Sequence, residues 1–386
     1  MKITHLCLCG PLTDNWTYQD NLLPKYHKAL GYDVSVITSQ YIWNDVGDLD
    51  IDSREIYYNE YGIKTIRIKS QYNTNVHSKF KKYQNLYKTI SNERADILFI
   101  HGIQFIDIIT IVRYLKKHSE VVVYVDNHAD FSNSATNWFS EYILHKVIWK
   151  WCGKLIEPYT KKFYGVLPAR VNFLKEVYKL PDKKVELLVL GADDERVKEA
   201  KANSNRLDIR KKHQINSDDF LIITGGKIDS AKKQILLLMK AVSEIEVDNK
   251  KVKLIVFGSV EPEIKDELKL LINGNKIQYV GWISPYDTYQ YLAAADLAVF
   301  PGRHSVIWEQ VVGIGVPCLF KYWEGTTHIN VGGNCQFLYE DSVDEIRTKV
   351  KEILDNPNFY ESMKNNAELY GMARFSYAKI AKESIQ

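Results

Sequence analysis

Short apolar runs alternate along the whole chain with longer segments in which apolar residues recur every three or four positions. The short runs are rich in Val, Ile and Leu and predict buried strands, whereas the longer segments predict amphipathic helices. The predicted strands are 3–9, 34–38, 64–68, 97–101, 121–125 and 185–190, followed by 220–224, 253–257, 277–280, 297–300 and 317–320. Strands that alternate with helices in this way indicate repeated β-α-β units and therefore an α/β protein with parallel sheets.

The alternation is interrupted between residues 194 and 218, a charged segment with few apolar residues and no strand character. We predict the link between two α/β domains there, one over residues 1–200 and one over 201–370. The length of 386 residues fits two domains, since about 100–200 residues form one. Two open parallel sheets bind ligands at the carboxyl ends of their strands, so we expect the site in a cleft between the two domains.

Charge and cysteine content exclude several classes of protein. The 51 basic and 48 acidic side chains leave a formal charge of +3, whereas a nucleic-acid binder usually has a strongly basic domain or stripe. The five cysteines show no metal-ligand spacing and predict reduced thiols. The start, MKITHLCLCGPL, does not resemble a signal peptide, and the apolar region 97–115 is interrupted by polar residues. We therefore expect a cytoplasmic protein that binds no nucleic acid.

The first candidate for chemistry is the turn after the first predicted strand, where Gly10 precedes an amphipathic helix. A glycine at such a turn lets a ligand approach the backbone, and the start of the helix offers unpaired N–H groups. The spacing is not the G-x-G-x-x-G of dinucleotide sites. A plain tight turn is the alternative.

The second candidate is the turn after strand 220–224, which reads GGKIDSAKK over residues 225–233. Lys227 and Lys232 stand five positions apart and could converge on one pyrophosphate, neutralising a departing diphosphate without a metal ion. The spacing of an ATP-hydrolysing P-loop is absent. The alternative is a pair of solvated lysines.

The third candidate is the loop that runs from Pro301 through Gly302, Arg303 and His304 after strand 297–300. A helix is predicted from about Ser305, and its first N–H groups could hold phosphate or sugar oxygens. Glu309 lies one turn into that helix, where a carboxylate could accept hydrogen bonds from both hydroxyls of a ribose. The alternative is a surface glutamate on a packed helix.

Two segments of the first domain combine lysines with apolar side chains. In the predicted helix 142–155 the lysines Lys146, Lys150 and Lys154 form a stripe apart from a predicted core face of Leu144, Val147, Ile148, Trp151 and Leu155. Around residues 79–88 the lysines are Lys79, Lys81, Lys82 and Lys88. Either these are solvated faces of ordinary helices, or they form a surface that rests on anionic lipid.

Taken together, these stretches resemble the glycosyltransferase family 4 group of GT-B enzymes, the type that builds polysaccharides and capsules. The matching stretches are LGYDVSVIT from residue 30, LGADDE from 190, GGKIDSAKK from 225, VFGS from 256, YVGWISPYDTYQYLAAADLAVFPG from 279, WEQVVGIGVP from 308 and LYEDSVDEIRTKVKEILDNPNF from 338. The resemblance implies the GT-B fold, two Rossmann-like domains that face each other across a cleft. It also implies that the C-terminal helix, 371–386, packs back on the first domain.

The resemblance also implies roles for individual residues. It assigns the donor diphosphate to Lys227 and Lys232, the nucleotide base to Trp282 and the ribose to Glu309. It places His128, after strand 121–125, beside the reacting sugar carbon. The expected catalytic residues are His128, Lys232 and Glu309; the expected donor-binding residues are Gly10, Lys227, Lys232, Gly258, Trp282, His304, Ser305, Val306 and Glu309; the expected acceptor-binding residues are Trp16, Asp126 and Asp130.

One position departs from the family pattern. Family members carry a second glutamate eight positions before the ribose-binding one, and Pro301 stands there. The function implied is a retaining, hexosyltransferase-type enzyme that uses a UDP- or GDP-sugar, without metal or cofactor, and acts on a saccharide or lipid-linked saccharide. An attachment to the inner membrane face is a further expectation. The alternatives are a sugar-nucleotide epimerase on the same fold and a binding module that has lost turnover.

Overall fold

The structure is a computed structural model that describes residues 1–44, 48–72, 80–247 and 250–386. It divides into two compact units, Met1–Leu190 with Ala378–Gln386, and Gly191–Tyr377. Each unit holds one main, mostly parallel sheet with helices, so the α/β class predicted from the alternation is confirmed. The division of the units lies at residue 190, upstream of the predicted link.

The first unit is built on an eight-stranded sheet in the order β10-β9-β8-β7-β1-β2-β6-β5. All neighbouring strands pair in parallel except β5 and β6. The strands are β1 Lys2–Cys7, β2 Asp33–Ser39, β5 Ile56–Tyr58, β6 Lys64–Ile68, β7 Ile97–His101, β8 Val122–Asn127, β9 Thr160–Gly165 and β10 Val185–Leu187, and the separate hairpin is β3 Tyr41–Trp43 with β4 Leu49–Ile51. The central strands are buried throughout, as covered parallel strands are.

The helices of the first unit follow the strands as the β-α-β pattern predicts. They are α1 Gln19–Ala29, α2 Leu86–Glu93, α3 Ile108–Leu115, α4 Lys150–Ile156 and α5 Pro168–Glu176, with a π-helix at Phe139–Trp149 that runs directly into α4 and short 3₁₀ turns at Glu157–Tyr159 and Asp182–Lys184. The C-terminal residues Ala378–Gln386 also belong to this unit. There the Tyr124 hydroxyl donates to the Gln386 carbonyl at 3.2 Å.

The second unit is built on a six-stranded, fully parallel sheet in the order β13-β12-β11-β14-β15-β16. The strands are β11 Phe220–Gly225, β12 Val252–Phe257, β13 Ile277–Tyr279, β14 Leu297–Phe300, β15 Cys318–Lys321 and β16 Cys335–Leu338. The helices are α6 Asp194–Ala200, α7 Asn203–Lys212, α8 Ile235–Glu244, α9 Pro262–Leu271, α10 Pro285–Ala294, α11 Ile307–Ile314, α12 Val343–Asp355 and α13 Pro357–Phe375, with a 3₁₀ turn at Thr327–Ile329; α14 Tyr377–Glu383 follows.

The structure differs from the sequence predictions in identifiable places. The segment predicted as a link contains α6 and α7, whose polar surfaces gave no apolar period; Arg206 and Arg210 of α7 bind the Asp296 carboxylate. Strand β9 was not predicted because it begins Thr-Lys-Lys, yet it lies inside the sheet between β8 and β10. Strand order, which local sequence does not encode, decides its burial.

The basic segments also differ from expectation. Val147 and Trp151, predicted as core, are 58% and 48% exposed, whereas Leu144, Ile148 and Leu155 pack against the core of the first unit. The π-type winding of Phe139–Trp149 changes the rotation per residue and so turns a different face inward. Lys81 is half-buried, its ammonium donates to the Gln104 carbonyl at 3.5 Å, and desolvation lowers its pKa, so its charge points away from a basic surface. Lys79 lies outside the described residues.

Among the described helices, none has both the length and the apolar character needed to cross a membrane.

Candidate functional site

Three loops meet at the carboxyl ends of β11, β12 and β13 in the second unit, through backbone contacts that require glycine. Gly226 and Gly258 have φ angles of +108° and +119°, and a Cβ on Gly258 would lie 1.8 Å from the Gly226 carbonyl oxygen. The Gly258 N–H donates to the Gly281 carbonyl at 2.7 Å, and the Tyr279 hydroxyl donates to the Gly258 carbonyl at 2.6 Å. Packing between loops therefore explains the glycine at 258 before any ligand is considered.

A small pocket beside these loops is lined by positively charged side chains. Its lining residues are Thr224, Gly225, Lys232, Ile235, Phe300, Pro301, Gly302, Arg303 and Ser305. The 225–233 loop and the loop after β14 both contribute, and the Arg303 N–H donates to the Ala231 carbonyl at 3.4 Å. The structure thus brings together the second and third candidate turns of the sequence. We call this region the second edge.

Lys232 is the group of the second edge best suited to hold an anion. Burial lowers its pKa, the Asp229 carboxylate opposes this, and the charges of Arg303 and Lys227 lower it further. Across the described part of the chain, no group accepts a hydrogen bond from its ammonium within bonding distance. The side chain is half-buried, and a bound anion would give its partly desolvated ammonium a charged acceptor. Lys227 is instead exposed and lies 3.4 Å from Glu261.

The start of α11 offers backbone donors to the same pocket. The helix begins at Ile307, two residues later than predicted, and its capping residue Val306 provides no side-chain acceptor. The Trp308 N–H donates to the Ser305 carbonyl at 2.9 Å, and N–H groups of a first helical turn that lack such a partner can bind phosphate or sugar oxygens. The buried Thr224 hydroxyl, which also lines the pocket, has no hydrogen-bond partner among the described residues. These groups add polar contacts around Lys232.

Glu309 lies deeper than expected, and its carboxylate is already hydrogen-bonded. The side chain is fully buried, with His304 Nε2 at 2.9 and 3.1 Å from its two oxygens and His328 Nε2 at 3.0 Å from Oε1. Burial alone would raise the pKa of Glu309, but the charge and hydrogen bonds of His304 and His328 outweigh it and hold the pKa at about 2. No carboxylate oxygen is exposed for a ribose in this conformation.

His328 was missed by the sequence reasoning. It stands in a 3₁₀ turn, in the stretch Thr327–Ile329, and no periodic pattern or motif marks it. It joins Glu309 only because the chain after β15 folds back over the start of α11.

Trp282 follows β13 and has a ring that is 53% exposed. It comes directly after Gly281, whose φ angle is +75°. An exposed indole at the carboxyl end of a strand is free to stack on a base. Its assignment to the nucleotide base stays a prediction.

The carboxyl ends of β1, β7 and β8 in the first unit carry the other candidate residues, and we call this region the first edge. Asp126, at the end of β8, is fully buried. Its Oδ2 accepts from His101 Nδ1 at 2.7 Å and from Gln19 Nε2 at 3.1 Å, while its Oδ1 lies 3.4 Å from His128 Nε2. Burial favours the neutral acid, but His101 and His128 outweigh it and lower the pKa of Asp126.

The remaining candidates of the first edge differ in how they can be reached. His128 is 37% exposed at its side chain, so a ligand could contact it. Asp130 is buried and accepts from Arg170 Nε at 3.0 Å and from the Ser132 N–H at 2.7 Å, contacts that fix its loop. Trp16 is half-buried and packs edge-on against Tyr18. Gly10 is exposed, and a Cβ there would meet nothing within 4 Å. The acceptor-binding roles stay predictions.

Among the residues that the structure describes, two groups of side chains have the spacing of a metal site. In each, the potential ligand atoms lie within 4.8 Å of one another: Asp20, His101 and His128 in the first unit, and His304, Glu309 and His328 in the second. Hydrogen bonds already engage both ring nitrogens of His101, and the Nε2–oxygen distances around Glu309 are those of N–H donation. We interpret both groups as hydrogen-bonded networks.

Comparisons with known proteins agree with this geometry. Residues 205–370, within the second unit, match the family described as Glycosyl transferases group 1. A curated relative, an uncharacterized glycosyltransferase of Methanocaldococcus jannaschii, is 21% identical over 217 residues. That match covers 54% of this chain and 55% of the relative, so the chain spans about half of the relative's length.

Solved structures extend the comparison to the whole chain. A glycosyltransferase from Rickettsia africae has a TM-score of 0.70 at 15% identity, covering 100% of this chain and 96% of that one. Anabaena HepE in complex with UDP-glucose has a TM-score of 0.69 at 12% identity, covering 100% and 98%. UDP-GlcNAc 2-epimerase from Neisseria meningitidis, bound to UDP-GlcNAc, has a TM-score of 0.61 at 13% identity, covering 100% and 99%. These likenesses confirm the predicted GT-B fold.

Proposed function

We propose that the protein is a retaining glycosyltransferase that moves a sugar from a nucleoside-diphosphate sugar to a saccharide or a lipid-linked saccharide. The observation that carries the proposal is Lys232, a half-buried cation that lines a pocket with Gly225 and Gly302 and has no acceptor for its ammonium among the described residues. The match of residues 205–370 to Glycosyl transferases group 1 supports the same assignment.

The chemistry proposed for the second edge is stabilisation of the leaving diphosphate. Breaking the bond between sugar and phosphate leaves negative charge on the diphosphate, and fixed cations and helix N–H groups lower the barrier by holding that charge. Lys232, Arg303 and the first turn of α11 supply these groups, so the proposed reaction needs no metal ion or cofactor. The resemblance assigns His128 to the reacting sugar carbon, and we retain that role as part of the proposal.

The buried state of Glu309 changes the proposed ribose contact. Its carboxylate would reach a ribose only if His304 or His328 gave up a hydrogen bond to it. With Pro301 in place of the family's other glutamate, the second edge offers the donor sugar no exposed carboxylate from these two positions. We therefore assign the main part of donor affinity to the diphosphate contacts.

The test compares two adjacent lysines. We expect Lys232→Ala to weaken binding of UDP or GDP about 10- to 100-fold, since a hydrogen bond to a charged group contributes about 1.5–3 kcal/mol. Lys233→Ala is the matched control, because the Lys233 side chain is exposed and its substitution removes the same charge at the adjacent position. Calorimetric titration with each diphosphate, and sugar transfer from each nucleotide sugar, are the measurements. Equal affinities for the two variants would refute the proposal.

Two alternative functions remain open to direct test. The epimerase neighbour shares the fold, and an epimerase would convert a UDP-sugar when no acceptor is present. The second alternative is a binding module that has lost turnover. The buried, hydrogen-bonded Glu309 carboxylate and the proline at 301 favour it. It would bind a nucleoside diphosphate without transfer and without slow hydrolysis of any nucleotide sugar. Product analysis with and without added saccharide separates the three functions.

We also propose that the first unit rests on an anionic membrane surface. Trp138, just before the π-helix, Phe139 within it and Trp151 in α4 are 68%, 53% and 48% exposed. The same two helices carry the half-buried Lys146, which pairs with Glu141 at 2.6 Å, and Lys150. Exposed aromatic rings next to lysines are typical of a helix lying at a lipid interface. We expect Trp138→Ala with Trp151→Ala to abolish sedimentation with anionic liposomes, while Trp323→Ala, which removes another exposed indole, does not. Equal pelleting with neutral and anionic liposomes would refute this surface.

A further inference from the structure

Three histidines beneath the first edge are hydrogen-bonded to one another in a row. His101 Nε2 lies 3.0 Å from His5 Nδ1, and His5 Nε2 lies 3.0 Å from His27 Nδ1. They stand on β7, β1 and α1, and all three are buried. Because these are ring-nitrogen-to-ring-nitrogen contacts, each contact needs one protonated and one unprotonated nitrogen. We call His5, His27 and His101 the histidine chain.

The two ends of the histidine chain reach different parts of the first unit. At one end, His101 Nδ1 lies 2.7 Å from Asp126 Oδ2 and 3.4 Å from Asp20 Oδ1. At the other end, His27 Nε2 lies 3.0 Å from both the Ala381 carbonyl oxygen and the Ser384 hydroxyl oxygen. The chain therefore links the carboxylate beside His128 with the C-terminal residues of the same unit.

The surroundings leave the chain few other partners. Phe99 packs against all three rings, with centroids 5.4 Å from His5, 6.1 Å from His27 and 5.0 Å from His101. Tyr32 packs edge-on against His27. The charged groups that face the chain are Asp126 and Asp20, both at the His101 end.

One proton more or less reverses both hydrogen bonds between the histidines. With one extra proton, His101 donates from Nδ1 to Asp126 and from Nε2 to His5, His5 donates to His27, and His27 donates to the Ala381 carbonyl. Without it, His101 still donates to Asp126, but His27 Nδ1 donates to His5 and His5 donates to His101. His27 Nε2 then carries no hydrogen and faces the Ala381 carbonyl. The Ser384 hydroxyl, which otherwise donates to that carbonyl at 3.0 Å, must turn and donate to His27 Nε2 instead.

Charge favours the arrangement with one extra proton. Burial lowers the pKa of His101, but the Asp126 and Asp20 carboxylates outweigh it and raise the pKa overall. Burial first, and then the neighbouring histidines, lower the pKa of His5. Burial also lowers the pKa of His27, to about 4, although its bond to Ala381 opposes the shift. The chain thus holds a single proton, balanced by the ionised Asp126.

We propose that His5, His27 and His101 form a single-proton relay that positions Asp126 and couples its hydrogen bonding to the docking of Ala381 and Ser384. The three histidines are positioning residues, since none contacts a ligand site directly. Asp126 faces His128 from its other oxygen, so the relay also sets the orientation of His128; this last step rests on the proposed function.

The test measures hydrogen exchange of the backbone amides in 378–386, corrected for intrinsic rates, from about pH 5 to about pH 9. We expect protection to fall as the pH rises, with a midpoint above the ordinary histidine value of about 6.5. Ser384→Ala removes the donor that the proton-poor arrangement needs, so the midpoint should rise by about half to one pH unit. His118→Gln, at a half-buried histidine outside the chain that lies 3.1 Å from Glu120, is the control and should leave the midpoint unchanged.

A second variant cuts the chain in the middle. His5→Phe keeps the ring next to Phe99 but removes both hydrogen bonds, and the step in protection should then disappear. If this variant does not fold, Ser384→Ala decides alone, because that change removes a single hydroxyl. The relay would be overturned if exchange protection of the amides in 378–386 did not change with pH in the parent protein. It would also be overturned if Ser384→Ala left the midpoint of that change where it is.

The relay and the proposed function fail separately. Exchange of the C-terminal amides needs no sugar donor, so the step can be present in a protein that transfers nothing. Conversely, transfer by a protein without the step would leave the glycosyltransferase assignment intact and remove the relay.

Discussion

The first and second edges hold their charges in opposite ways. At the first edge, the carboxylates of Asp126 and Asp130 are buried and bound by His101, Gln19, Arg170 and Ser132. At the second edge, Lys232 has no acceptor in the described chain, and backbone N–H groups at the start of α11 lack a side-chain cap. The comparison teaches that the second edge presents an unpaired cation to an anion, whereas the charged groups of the first edge pair with one another. At the first edge the buried atoms left without a hydrogen-bond partner among the described residues are Asp126 Oδ1, His128 Nε2 and Gln19 Oε1.

Glycine packing at the second edge should give the largest effect on stability. Gly258→Ala would force a Cβ against the Gly226 carbonyl at a φ angle of +119°. We expect a loss of about 3 kcal/mol or more in the free energy of unfolding of the second unit, since the clash adds to backbone strain of about 1–3 kcal/mol. Thermal and urea denaturation measure it.

The control for this prediction is Gly274→Ala, because a Cβ there meets nothing within 4 Å and the φ angle is not positive. Its unfolding free energy should change by less than about 0.5 kcal/mol. A Gly258→Ala protein as stable as the control would show that the loops of the second edge are not held by the Gly226–Gly258 contact.

Acid should weaken the second unit through Glu309. Its folded pKa of about 2 lies below the ordinary glutamate value of 4.5, so its contribution to stability is complete above about pH 4.5 and is lost as the pH falls towards 2. The shift corresponds to about 3 kcal/mol at neutral pH. Glu309→Gln should therefore lower the melting temperature at pH 7 and flatten the loss of stability between about pH 5 and pH 2.

The contrast with His328 sharpens this prediction. His328→Gln keeps a donor for the Glu309 carboxylate but cannot carry a charge. It should therefore lower stability less than Glu309→Gln, and the protein should still lose stability as the pH falls. If Glu309→Gln lost stability in acid as steeply as the parent protein, the loss would belong to another carboxylate. Glu93, which pairs with Lys2 and Lys64, is the next candidate.

Sequence patterns predict the two sheets and the second edge better than they predict the first edge. Strands such as β7 and β14 are continuous apolar runs, and GGKIDSAKK sits directly after one, so local pattern predicts both the fold and the pocket. His5, His27 and His101 show no local motif. They meet because β1 pairs with β7 and α1 lies on that sheet, a consequence of strand order that local sequence does not encode.

Gly10 gives the smallest expected effect on stability and so separates structural from ligand roles at the first edge. A Cβ there meets nothing within 4 Å and the φ angle is not positive, so Gly10→Ala should change the unfolding free energy by less than about 0.5 kcal/mol. If a donor approaches this backbone as the resemblance implies, the same variant should raise the KM for nucleotide sugar while the melting temperature stays constant. Unchanged kinetics would make Gly10 an ordinary turn residue, and donor binding would then be assigned to the second edge alone.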